Sequence, residues 1–169
     1  MRKFKIVVLL FTLLLFPLSI SALEPMPVKE PGDLHITVFI TDSPDFIKEW
    51  VGTPQSHGPT VRRIKEAKYN QMVHAGFAVT GLMKDSDSKV NFIVAIQVET
   101  PDGNILLQDN QWATHTNKVT IDKGVIIANP VLDMTIETSD PSGNYIITAI
   151  VVDKISGKRA TGSEILKIQ

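Results

Sequence analysis

Apolar residues alternate with polar ones in one stretch after another of this chain, and that period of two constrains its fold more than any other feature. Val90, Phe92, Val94, Ile96 and Val98 take every second position of the segment 90–100. Leu34, Ile36, Val38 and Ile40 do the same over 34–41, with His35, Thr37 and Phe39 between them. Successive side chains of an extended strand point to opposite faces, so each such segment presents one apolar and one polar face. Further strands are expected over 72–83, 105–108, 132–138, 145–153 and 164–169, about seven in all. The breaks between them carry turn chemistry: Lys84 to Lys89, Pro101-Asp102-Gly103-Asn104, Ser139 to Gly143 and Ile155 to Lys158. No helical segments alternate with the strands, so the pattern predicts an antiparallel β-sandwich rather than a parallel α/β sheet.

The strand pattern stops between Asp42 and Gln71, a longer insert than sandwich connections usually carry. Ser43 is placed to cap a helical turn with Pro44 at its first position, and Phe46 and Trp50, four residues apart, share one helix face. The segment 52–59, with its glycines and prolines, then reads as a loop before Val61, Arg62, Arg63 and Ile64 resume order. The expected architecture is therefore a β-sandwich with a partly helical insert, 42–71, after its first strand.

Arg2, Lys3 and Lys5 precede an apolar run from Ile6 to Phe16, interrupted only by Thr12, and Ser19, Ser21 and Ala22 follow. A basic start, a short apolar middle and small residues at the end form the pattern of a secretory signal peptide over 1–22. The run is shorter than the roughly 20 residues that cross a bilayer, so no stable membrane anchor is expected after cleavage. Residues 23–33, with Pro25, Pro27 and Pro31, read as an extended linker, and 34–169 as a single domain. The whole chain holds 17 basic and 18 acidic residues; the leader takes three of the basic ones and none of the acidic, which leaves a mature net charge of −4. Such mild acidity offers nothing to a phosphate backbone, so nucleic acid is not an expected partner. The chain has no cysteine, which removes disulfides, thiol chemistry and a lipid-modified cysteine after the leader. A periplasmic or secreted protein held by packing alone fits these facts.

Tyr145 begins the penultimate expected strand, directly after Asp140-Pro141-Ser142-Gly143-Asn144, and Val152, Asp153, Ser156 and Gly157 lead into the last one. This ending resembles that of an immunoglobulin-like domain of the broad bacterial extracytoplasmic group, over about the last hundred residues. The resemblance implies a tyrosine corner: a buried ring at Tyr145 whose hydroxyl returns to backbone just upstream. Ile147 stands where antibody domains have a cysteine, so an antibody-type domain is not implied. Folds of this kind host many tasks, and no function follows from the resemblance.

The chain contains no Gly-x-Ser-x-Gly elbow, no His-Glu-x-x-His pair and no glycine-rich phosphate loop. The expected function is a non-enzymatic binding or accessory role toward a protein or peptide partner, with no cofactor. Phe46, Trp50, Arg62 and Arg63 are the candidate contact residues, because aromatics and arginines dominate recognition surfaces. On a strand the two arginines would point to opposite faces; in a loop they are free to act together. The alternative is a copper-type metal site: Met72 and His74 share a strand face, with His57 and His115 as further ligands. A third reading is a hydrolase whose site is assembled in space, marked by an Asp or Glu beside a histidine in a cleft. Trp112, in the polar stretch 109–115, is the candidate core aromatic.

Overall fold

Two β-sheets pack face to face in the computed structural model, which describes residues 33–52, 61–118 and 124–169. Among these residues the elements run β1 (His35–Thr41), α1 (Phe46–Gly52), β2 (Glu66–Ala67), β3 (Met72–Thr80), β4 (Lys89–Glu99), β5 (Ile105–Lys118), β6 (Ile126–Ile127), β7 (Leu132–Thr135), β8 (Gly143–Asp153) and β9 (Arg159–Ile168). In the first sheet β3 is flanked by β1 on one side and by β6 and β7 on the other. The second runs β2-β9-β8-β4-β5. Every ladder is antiparallel except the two-residue pairing of β2 with β9. The expected sandwich, with its partly helical insert after the first strand, is the fold. The signal peptide and the linker up to residue 32 lie outside the described residues.

Alternation in sequence becomes the core directly. Ile36, Val38 and Ile40 of β1, Val73, Ala75, Phe77 and Val79 of β3, the even residues 90–98 of β4 and the odd residues 145–151 of β8 all point inward and are buried. Each isoleucine, valine or phenylalanine among them contributes about 1.5–3 kcal/mol when taken out of water. Sheet closure on one side depends on Gly162, where a Cβ would lie 2.3 Å from the Ile36 carbonyl oxygen. A larger residue there would hold β1 and β9 apart.

Two polar groups fasten the ends of β8. Tyr145 is fully buried and its hydroxyl donates to the Pro141 carbonyl at 2.8 Å, the tyrosine corner that the resemblance implied. At the other end the buried Asp153 carboxylate accepts from Met83 N–H and Ile155 N–H, each at 2.9 Å, and from the Ser156 hydroxyl at 2.6 Å. It thereby ties the β3–β4 connection to the β8–β9 turn.

Several features depart from the sequence-based expectation, among them β9, which begins at Arg159 and not at 164. β5 does not stop at Gln108 but continues to Lys118, because polar residues suit a strand that lies at the sheet edge. β2 and β6 are two residues long, too short to produce a period. Val61 to Ile64 form neither strand nor helix, although Ile64 N–H donates to the Ile40 carbonyl at 2.9 Å and so holds the segment against β1.

Candidate functional site

The outer face of the first sheet carries the insert and most of the residues singled out above. Phe39 points outward from β1, opposite Gly76 of β3 in the ladder. A Cβ on Gly76 would fall 2.2 Å from the far edge of the Phe39 ring, so the ring lies flat across the glycine. Phe46 meets that ring edge-on, with centroids 5.6 Å apart at 87°. Trp50 stacks on it nearly parallel, at 6.5 Å and 5°. Arg63 holds its guanidinium 5.8 Å from the Phe39 centroid, within cation–π range. Phe39, Phe46 and Ala78 are buried here, with Val61, Ile127 and Val131 packed around them. The insert thus builds a second, small core on the outside of the sandwich.

Local sequence explains the helix. α1 reads Phe-Ile-Lys-Glu-Trp-Val-Gly, and positions 46 and 50 turn toward the sheet. It begins two residues after Pro44, and the Ser43 hydroxyl donates to the Glu49 carboxylate at 3.2 Å instead of capping the first turn. Lys48 pairs with Asp45 at 2.6 Å, and this hydrogen bond and charge raise the Lys48 pKa.

Phe46, Trp50 and Arg63 therefore converge on one ring, whereas Arg62 turns aside to Asp42 at 3.4 Å. The two arginines do not form one clamp. Phe46 is only 1% exposed and serves as the anchor of the helix, not as surface. Outside this anchor lies a stripe absent from the sequence-based candidates: Ile47 is 39% exposed and Val51 79% exposed, beside half-buried Trp50. Their spacing of four was visible in the sequence once a helix was assigned. Phe39, the hub, was hidden because its partner Gly76 becomes apparent only through strand register.

Of the alternative metal ligands that are described, His115 stands apart from the other two. Met72 and His74 do share the outer face of β3, but His115 lies on β5 in the other sheet, and His57 falls outside the described residues. His115 stacks on Phe92 at 5.2 Å, and its burial lowers its pKa. Among the described residues no three His, Cys, Asp or Glu side chains are grouped to hold a metal. His74 is instead engaged across the ladder, its Nδ1 2.6 Å from Asp133 Oδ1 on β7, and its ring is 6.3 Å from Phe46.

An aspartate beside a histidine is the pair that the hydrolase reading required. Among the described residues no hydroxyl is hydrogen-bonded to the His74 ring. Thr41 Oγ1 accepts from Ser43 N–H, the Ser43 hydroxyl donates to Glu49, and the Thr135 hydroxyl contacts Met72 Sδ at 3.5 Å. Trp112 packs against the main core and donates its indole N–H to the Pro130 carbonyl at 2.8 Å, joining β5 to the β6–β7 connection.

No family model matches the sequence, and no curated protein matches it. Among solved structures the chain is similar to the CARDB domain of a Pyrococcus furiosus protein in complex with di-metal ions. That match has 14% identity and a TM-score of 0.41, and covers 81% of this chain and 88% of that one. A Niemann-Pick type C2 protein from the Japanese carpenter ant is similar at 10% identity and a TM-score of 0.40, over 80% of this chain and 92% of that one. At these values neither likeness bears on what this chain binds or does.

Proposed function

We propose that this chain is an exported, non-enzymatic binding or accessory protein that holds a protein or peptide partner against α1 and the segment 61–64. One observation carries the reading: a short helix anchored by Phe46 turns Ile47 and Val51 outward next to Trp50, with Arg63 beside them. A helix that buries one face and leaves a neighbouring apolar stripe in water is arranged to lose that water to a partner. The partner best matched to it offers an apolar ridge bordered by a carboxylate that reaches Arg63 or Arg62. Export is supported by the leader alone, and it predicts a mature N-terminus near Leu23 when the secreted protein is read by mass spectrometry.

The binding reading is tested with Val51→Asp and Trp50→Ala, each checked for native circular dichroism before use as bait in extracts of the producing cell. A partner captured by the unmodified protein and lost by both folded variants supports the proposal. Equal capture by all three contradicts it.

A further inference from the structure

The insert packs on part of the outer face of the first sheet, but among the described residues nothing comparable lies over the second. The element packed against β8 and β9, apart from their ladder neighbours, is β1, from the core side. Strand parity and register define that outer face. One row runs Ile165, Ile146, Glu99 and Ile105, the next Ser163, Thr148, Gln97 and Gln108, and a third Thr161, Ile150 and Ala95. A fourth runs Arg159, Val152, Ile93 and Thr114. Among the described side chains of this face, charge lies at the rim, at Lys89, Glu99, Arg159 and Lys167. The centre consists of isoleucine, valine, alanine, threonine, serine and glutamine.

We infer that this face is the contact between two copies of the chain, related by a two-fold axis. Such a contact brings each residue near the axis against its own counterpart, so a charge placed there would meet the same charge. The centre of this face satisfies that condition. Area also suffices: four strands about 4.8 Å apart, spanning residues 144–152 at about 3.3 Å each, project on the order of 550 Å². Two copies would bury roughly twice that, above the roughly 1,000 Å² that a specific interface needs. A groove of about 100 Å³ opens between Ala95, Gln97, Gln108, Asn110, Thr148 and Ile150, where the β4–β5 register shifts. It gives an aliphatic side chain of the opposing copy a place to enter.

Sedimentation velocity of the purified protein, from about 1 µM to about 200 µM, covers association down to tens of micromolar. The expected result is a reversible dimer that fills as concentration rises. Thr148 sits near the centre of the face, so Thr148→Glu and Thr148→Lys should each sediment as monomers, and an equal mixture of the two should recover the dimer. A monomer at every concentration of the unmodified protein overturns the proposal, whatever the variants do. So does a dimer that both variants form as well as the parent, since that dimer would use another surface.

Discussion

Gly76 lies beneath the Phe39 ring with room for a hydrogen and no more. Gly76→Ala must lift that ring away from β3, and with it the stack that Phe46, Trp50 and Arg63 make on it. The expected cost is about 1–3 kcal/mol, the usual penalty of overpacking a fitted site, read by urea unfolding. Tyr145→Phe keeps the buried ring and removes only its bond to the Pro141 carbonyl, so a loss of about 1 kcal/mol is expected in the same assay. Asp153 predicts a pH dependence. Burial alone would raise its pKa, but hydrogen bonds from Ser156, Met83 and Ile155 outweigh it and hold the carboxyl below its ordinary 3.8. Such a group stabilises the fold fully above pH 3.8, and the contribution is lost as pH falls through the depressed folded value. Asp153→Asn should therefore be less stable at neutral pH and show a flatter acid limb when unfolding is followed from pH 6 to pH 2. An unchanged acid limb would assign the pH dependence to other groups.

At the scale of elements, what the sequence disclosed follows from burial on two sides or one. β4 and β8 announce themselves by strict alternation because one of their faces is core along the whole strand. β5 shows no such period past Gln108, since it is an edge strand whose register shifts opposite β4 and whose exposed positions are polar. The helix was legible at Phe46 and Trp50, yet where it docks was not, because docking depends on Phe39 and Gly76 meeting across β1 and β3. The same division separates anchor from surface. Phe46→Ala removes a ring that is 1% exposed and should cost about 3–5 kcal/mol, with α1 released from the sheet. Val51→Asp alters a side chain that is 79% exposed and should leave stability within about 0.5 kcal/mol of the parent.

For the whole molecule, the two outer faces differ: the chain's own insert packs on part of the first sheet, and the second is left uncharged at its centre. Pattern alone gave the sandwich and the partly helical insert after its first strand. It did not separate Arg63, which lies on the Phe39 ring, from Arg62, which is paired to Asp42, because neighbouring loop residues diverge according to contacts made far along the chain. The central claim is that the exposed side of α1, anchored but not hidden by Phe46, is where a partner sits. Its most direct test is photo-crosslinking in the producing cell with a reactive residue at position 51, compared with one at Asn104 on the β4–β5 turn. A discrete adduct from position 51 and none from position 104 is the predicted result; adducts of equal yield at both positions, or none at position 51, would contradict it.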